Sequence, residues 1–371
     1  MKRKKTNERA ISLVNLILII AILILCAVII FIITGDITQN NSSEIAKIEN
    51  TIASQNSLST KNTIRQSRTA GESTNVNITD VDDTNISEKT KYKKYYYSQI
   101  NPIAQEMYDA LYNNIDLLKS NQKISFSVNE ADAEKNFQTA WDAINLDKPE
   151  IFYLDTNKIS LISQTATNLF GQNSYKYYIE PKDSTYYLDS WKTQAEVENA
   201  ITSVETVGTK IAEAISGNSY TRYDKVKYIH DYIVSNVEYD ETGKTNNSNI
   251  YGALIEGSAV CEGYAESFKY LADVVDVPCV TVYGDGINSA GEREYHSWNY
   301  VLMDDEKWYA VDTTFDDPII IGNGELPKGS RYKYFLKGSN SFNSTHFEQP
   351  DVSGTGQKFV YPTISATDYN N

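Results

Sequence analysis

The N-terminal quarter of the chain divides into an apolar run and a long polar stretch. Residues 11–34, ISLVNLILIIAILILCAVIIFIIT, contain no charged side chain. At about 1.5 Å per residue, a helix of this length extends about 36 Å, which is enough to cross a bilayer. Residues 35–90 are rich in Ser, Thr, Asn and Asp and contain no aromatic residue, so they cannot bury enough apolar surface to fold alone. The pattern predicts a transmembrane helix over 11–34 and a disordered linker over 35–90.

The residues that flank the apolar run predict its orientation. Residues 1–10, MKRKKTNERA, hold five Lys and Arg, which favours a cytoplasmic basic tail with the rest of the protein outside the cell. No small-x-small cleavage site follows the run, so we expect an uncleaved anchor. A lipoprotein box at LILC is a weaker alternative, because the bulky Leu25 precedes the cysteine. The expected location is the cell membrane, with one span, a cytoplasmic N-terminus and an extracellular C-terminal domain.

From about residue 91 the pattern becomes that of a folded protein. Apolar residues at helical spacing in INPIAQEMYDALYNNIDLL, strand-like runs such as SYKYYIEP, and a long helical pattern in AEVENAITSVETVGTKIAEAIS predict both helices and strands. We interpret residues 91–215 as an N-terminal α+β subdomain. No grouping of reactive side chains stands out in it.

Residues 216–371 form the second predicted domain. Two amphipathic helices, 223–240 and 261–276, precede three strand-like runs, CVTVYGDG, EYHSWNYVLM and KWYAVDTTF. Helices followed by an antiparallel sheet indicate an α+β fold.

Charge and cysteine content narrow the possible functions. The net charge of −15 argues against a nucleic-acid or anionic-lipid surface. The three cysteines and three histidines lack the spacing of zinc ligands, so we expect no metal and no other cofactor. A disulfide between Cys261 and Cys279 is an alternative use of those two thiols.

Cys261 is the cysteine in a chemically inviting position. It lies in GSAVCEGYA at the predicted start of a helix, three residues after Ser258, which we expect to be the N-cap. Helix N-terminal N–H groups and the positive end of the dipole favour a thiolate there. Gly257 and Gly263 would leave room for a substrate backbone. A nucleophilic thiol also needs a base, and the base needs an orienting group.

A predicted hairpin contains a candidate for the base and a candidate for the orienting group. If Met303 pairs with Lys307 across a three-residue turn, paired residue numbers sum to 610, and His296 and Asp312 become diagonal neighbours on one face. A two-residue turn without a bulge would place them on opposite faces. The chemistry therefore requires one particular register.

Three motifs in this order, GSAVCEGYA, YHSWNYV and WYAVDTTFDDP, resemble the transglutaminase-like superfamily. The resemblance covers about residues 220–350 and extends to membrane-anchored bacterial proteins with such a domain. It implies a papain-like core, in which the helix that bears the cysteine packs on an antiparallel sheet. It also implies a catalytic triad of Cys261 as nucleophile, His296 as base and Asp312 as orienting acid.

The resemblance leaves the reaction open, because one fold hosts several activities. We favour a peptidase or amidase that acts through a Cys261 thioester on a peptide, a protein or a cell-wall peptide. The alternatives are a protein-glutamine transglutaminase that forms isopeptide cross-links, and an inactive surface scaffold with the same fold. We interpret His230 and His346 as structural residues, and Asp316 and Asp317 as a solvated turn before Pro318.

Overall fold

A computed structural model describes residues 92–128, 133–216, 219–317, 330–352 and 357–371. All of them belong to one compact unit, residues 81–371. The predicted basic tail, transmembrane helix and linker, residues 1–90, lie outside the described residues. Within the described part of the chain, no helix combines the length and apolar character needed to span a bilayer.

The first half of the described chain is a helical layer with a small sheet. Its elements are α1 Pro102–Tyr112, α2 Ile115–Lys119, β1 Ile124–Ser127, α3 Glu134–Asp147, β2 Ile159–Thr167, β3 Asn173–Pro181 and α4 Gln194–Ala214. The strands form an antiparallel sheet in the order β1–β3–β2. Local capping sets the helix starts. Asn101 caps α1, and Thr193 with Glu196 forms a capping box on α4.

The second half carries the predicted helix–sheet core. Its elements are α5 Arg222–Asn236, β4 Glu238–Tyr239, α6 Ile250–Leu254, β5 Ser258–Ala259, α7 Cys261–Val274, β6 Cys279–Ile287, β7 Arg293–Leu302, β8 Trp308–Val311, α8 Ser339–Phe342 and β9 His346–Glu348. The four later strands form an antiparallel sheet in the order β8–β7–β6–β9, and β4 pairs with β5 in parallel.

Helix α7 packs on strands β6 and β7 of this sheet. Its buried apolar residues are those of one helical face, including Ala265, Phe268 and Leu271. Each large apolar side chain buried in this way stabilises the fold by about 1.5–3 kcal/mol. The predicted α+β arrangement, with the cysteine helix on an antiparallel sheet, is confirmed.

Buried charged groups lie where the first half contacts α7. Asp147, at the end of α3, accepts hydrogen bonds from the backbone N–H groups of Tyr96 (3.0 Å) and Tyr97 (2.9 Å). Burial raises the pKa of Asp147 to about 7, although these bonds and the positive charge of Lys269 in α7 oppose the rise. Lys269 is itself completely buried and pairs with Asp273. The helix that begins at Cys261 is therefore held from both sides, by the sheet and by the N-terminal half.

Candidate active site

Cys261 is the first residue of helix α7. Val260 occupies the N-cap position and no side chain caps this end of the helix, so the prediction of Ser258 as N-cap is wrong. Ser258 instead belongs to strand β5, which pairs with β4 and carries the chain straight into the helix. Cys261 therefore lies in the first turn of the helix, where unpaired N–H groups and the positive end of the dipole favour a negative charge.

The two glycines near Cys261 have structural reasons of their own. A Cβ on Gly263 would lie 2.7 Å from the carbonyl oxygen of Asn247, so only glycine allows that loop to approach the helix. Gly257 has a φ of +66°, in the left-handed region that other residues rarely adopt. Both serve the tight packing around the start of α7. Cys261 is 6% exposed, and it and Cys279 are free thiols, so the disulfide alternative is wrong.

The hairpin between β7 and β8 has the register that the chemistry requires. The Met303 N–H donates to the Lys307 carbonyl at 2.9 Å across a turn of three residues, and Glu306 in that turn has a φ of +61°. The ladder pairs run from Asn299 with Val311 to Leu302 with Trp308, as predicted. Asp312 follows directly after β8, on the face of the hairpin that also carries His296.

His296 and Asp312 are joined by a short hydrogen bond. His296 Nε2 lies 2.8 Å from Asp312 Oδ2, and the two residues are 2% and 0% exposed. The other carboxylate oxygen, Oδ1, accepts the backbone N–H of Phe315 at 3.0 Å. Because Nε2 is taken by Asp312, Nδ1 is the ring nitrogen left for the thiol. A side-chain hydrogen bond with Cys261 contributes to the electrostatics of His296, so the three predicted residues come together.

The electrostatics favour a charged imidazole. Burial alone would lower the pKa of His296, but the Asp312 carboxylate outweighs it and, with a smaller contribution from Cys261, raises the pKa to about 10. Burial alone would raise the pKa of Asp312, whereas its bonds to His296 and to a second histidine hold it well below the usual range. At neutral pH the pair is an imidazolium and a carboxylate.

The second histidine is His346, which the sequence analysis predicts to be a structural residue. His346 Nε2 lies 2.9 Å from the same Asp312 Oδ2, and Nδ1 lies 2.9 Å from Thr345 Oγ1. Pairing of β9 with β6 brings it there from 34 residues along the chain, which no local pattern reveals. Phe315, only three residues after Asp312, stacks on the His296 ring at 4.2 Å, a ring contact that the sequence pattern does not show.

His296, Asp312 and His346 are also the group of described residues whose ligand atoms could hold a metal ion. Around a tetrahedral zinc with bonds of about 2.0–2.1 Å, ligand atoms lie about 3.3 Å apart. The separations of 2.8 and 2.9 Å are those of hydrogen bonds instead. As they stand, the three side chains fit proton sharing better than metal binding.

Acidic and phenolic groups surround the thiol. Cys261 is among the charges that raise the pKa values of Tyr239, Tyr283 and Tyr295, so three phenols lie near the sulfur. Burial raises the pKa values of Glu262 and Glu266, and each accepts a tyrosine hydrogen bond that opposes the rise. Both glutamates line a cavity of about 320 Å³ beside α7.

A second histidine–aspartate pair lies close by, without a thiol. His230 Nε2 is 3.1 Å from Asp316 Oδ2, and both side chains are 0% exposed. Asp316 also accepts the backbone N–H of Tyr334 at 2.9 Å. The interpretation of Asp316 as part of a solvated turn is therefore wrong. Asp317 is partly buried and accepts the Tyr264 hydroxyl at 2.6 Å.

The geometry defines a class of site. A thiol at a helix start, an imidazole and a buried carboxylate are the parts of acyl transfer through a thioester. A family model described as the transglutaminase-like superfamily matches residues 209–313, which include all three side chains. The chain therefore contains a domain of the transglutaminase-like superfamily, as the three motifs predicted.

Solved structures with some similarity to this chain overlap it only in part. A candidate cysteine protease from Cytophaga hutchinsonii is 14% identical with a TM-score of 0.26, over 44% of this chain and 68% of that chain. A protein described as a TGase is 15% identical (TM-score 0.27; 56% and 53%), and the periplasmic domain of TgpA from Pseudomonas aeruginosa is 14% identical (TM-score 0.25; 43% and 63%). No curated protein matches the sequence.

Proposed function

We propose that the protein is a thiol enzyme that acts on amide bonds of peptides or proteins, with Cys261 as nucleophile, His296 as acid and base, and Asp312 as the orienting carboxylate. One observation carries this proposal: Asp312 binds His296 at Nε2 and leaves Nδ1 for a thiol at the uncapped start of a helix. A structural cysteine needs neither the helix end nor the imidazole.

The reaction would proceed in two steps. The Cys261 thiolate attacks the amide carbonyl carbon, and the backbone N–H of Cys261 stabilises the oxyanion. His296 Nδ1–H then protonates the leaving amine as the C–N bond breaks, and a thioester remains on Cys261. In the second step His296 accepts a proton from the attacking acceptor, the C–S bond breaks, and Cys261 leaves as the thiolate, which restores the thiolate–imidazolium pair. Water as acceptor gives a peptidase or amidase, which we favour. A lysine amine would give an isopeptide cross-link.

Alkylation tests the thiol before any substrate is known. The full-length protein is treated with iodoacetamide at mildly acidic pH, and the modified cysteines are located by mass mapping. Cys261 should react at least tenfold faster than a free thiol, because thiols beside an imidazolium at a helix start are the reactive ones in proteins. Cys279 is the internal control, since it is completely buried and burial raises its pKa. If Cys261 reacts no faster than a free thiol, the inactive scaffold is the better description.

The acceptor is tested with a glutamine-containing peptide and a fluorescent primary amine. Peptide cleavage or conversion of glutamine to glutamate without label supports hydrolysis. Covalent incorporation of the amine into the peptide would favour the cross-linking alternative instead. A Cys261→Ala variant should abolish either product, which controls for contaminating enzymes.

The proposal includes a location outside the cell, attached through residues 11–34. The support comes from the sequence: an uncharged run of 24 residues after a strongly basic tail. Protease added to intact cells should digest the C-terminal domain, and a cytoplasmic protein followed in the same sample should survive. Protection of the domain in cells whose other surface proteins are digested would contradict this location.

A further inference from the structure

The Asp312 carboxylate is held by three donors rather than one. Oδ2 receives both His296 Nε2 (2.8 Å) and His346 Nε2 (2.9 Å), while Oδ1 receives the Phe315 N–H (3.0 Å). A lone carboxylate on an aspartate turns easily, because its last torsion is broad and roughly two-fold. The direction in which Asp312 presents Oδ2 to His296 therefore depends on the other donors.

The hydrogen-bond pattern places a hydrogen on Nε2 of His346. An ionised carboxylate only accepts, so the Nε2 atoms of His296 and His346 both carry hydrogen. His346 Nδ1 lies 2.9 Å from the Thr345 hydroxyl, which can donate to it or to the Phe342 carbonyl oxygen at 3.2 Å. Burial lowers the pKa of His346, as does the charge on His296, and the bonds to Asp312 and to the Phe342 backbone offset this only in part. The lowered pKa favours a neutral His346 that donates from Nε2, and His296 carries the charge that balances Asp312.

The backbone and an aromatic ring hold His346 in place. His346 begins strand β9, where it pairs with Gly286 of β6. The His296 ring also lies against Gly286, since a Cβ at this position would be 3.0 Å from that ring. The Phe342 ring stacks on the His346 ring at 3.8 Å with planes 13° apart. Both imidazoles therefore meet Asp312 from fixed positions on one sheet.

We propose that His346 is a positioning residue of the site: by donating Nε2–H to Asp312 Oδ2, it sets the carboxylate so that His296 presents Nδ1 to Cys261. This inference rests on the proposed function of the three residues. The competing explanation is that His346 only fills space, as an aromatic ring against Phe342.

Two substitutions in the full-length protein separate these explanations. His346→Gln keeps an N–H donor at a similar distance from the backbone but loses the aromatic ring. His346→Phe keeps a ring that can stack on Phe342 but loses the donor. The measured quantity is the second-order rate constant for alkylation of Cys261 by iodoacetamide between pH 5 and 9. Thermal unfolding of each variant is followed in parallel, and His230→Gln serves as a control for loss of another buried histidine.

The donor role predicts that His346→Gln alkylates within about threefold of the parent. His346→Phe should alkylate about tenfold more slowly at pH 6, with the acid limb moved up by about one pH unit, because one hydrogen bond to a charged group is lost. Equal rates in both variants and the parent would overturn the inference, as would a fast Phe variant beside a slow Gln variant. A slow parent would instead overturn the proposed function.

A further variant keeps the test decisive if His346→Phe does not fold. Thr345→Val removes the hydroxyl that faces His346 Nδ1 with little change in shape. His346 Nδ1 then keeps only the Phe342 backbone acceptor, which favours a hydrogen on Nδ1 over one on Nε2, so the acid limb should again move to higher pH, by a smaller amount. An unchanged limb in Thr345→Val together with a slow His346→Gln variant would overturn the positioning role.

Discussion

The two buried histidine–aspartate pairs differ in what the second ring nitrogen meets. In both, a histidine Nε2 contacts an aspartate Oδ2, at 2.8 Å for His296 and 3.1 Å for His230. The Nδ1 of His296 is left for the Cys261 thiol, whereas the Nδ1 of His230 lies 3.0 Å from a second carboxylate, Asp231. A histidine held between two carboxylates has no nitrogen with which to exchange a proton with substrate. What the second ring nitrogen contacts, a thiol or another carboxylate, distinguishes a candidate catalytic pair from a structural one.

One short turn links the two pairs. The Asp316 N–H donates to the Asp312 carbonyl at 3.2 Å in the turn that follows β8. Asp312 faces the sheet and Asp316 faces helix α5, where His230 lies. The His230–Asp316 pair therefore anchors the turn that follows Asp312, without contacting the Asp312 carboxylate through a hydrogen bond of its own.

The largest contrast is expected from matched substitutions of the two aspartates. Asp312→Asn should lower turnover by about 10³–10⁴-fold, because an amide no longer selects the His296 tautomer or stabilises its charged form. Asp316→Asn should leave turnover within about threefold and lower the stability instead. Both are measured with one peptide substrate and by denaturant unfolding. The comparison fails if Asp316→Asn proves as inactive as Asp312→Asn while its unfolding midpoint is unchanged.

Local periodicity predicted the helix that bears Cys261 and the hairpin. Periodicity left two registers open, and the structure has the one that the chemistry required, with a three-residue turn from Asp304 to Glu306 and with His296 and Asp312 on one face. The division at residues 215 and 216 and the catalytic roles of the three residues stay predictions.

Contacts between distant segments could not be predicted in this way. Asp316 looked like part of an exposed turn because its partner, His230, lies 86 residues earlier. The contact of His346 with Asp312 could not be predicted, because it depends on the pairing of β9 with β6, and the two residues are 34 positions apart in the chain. The N-cap prediction was wrong for a different reason. Serine is a residue type that often caps helices, but Ser258 lies in strand β5, which pairs with β4.

The next largest effect is expected on the free energy of unfolding, and it comes from His230. Burial alone would lower the pKa of His230, but Asp231 and Asp316 outweigh it and raise the pKa. A raised folded-state pKa gives stability that is fully present below the unfolded value, about 6.5, and is lost as pH rises through the folded value. His230→Gln should lower the free energy of unfolding by about 3 kcal/mol at pH 6, since two carboxylates lose their buried partner.

The loss in His230→Gln should shrink toward alkaline pH, and it is measured by urea unfolding at pH 6 and at pH 10. Lys227→Gln is the control, because its ion pair with Asp231 is partly exposed and should contribute less. An equal loss at both pH values would mean that His230 acts by shape and not by charge.

The smallest effect is expected on turnover, at the alkaline side of its pH profile. The charged His296 must give a proton to the leaving amine, so turnover should fall as it deprotonates, about tenfold per pH unit above pH 10. Alkylation of Cys261 needs only the thiolate and should stay fast over the same range. His230→Gln, where it remains folded, should keep the same alkaline limb, because His230 takes no part in the proton transfer. A limb that moves in this variant would show that the two pairs titrate as one unit, and the distinction between them would then have to be given up.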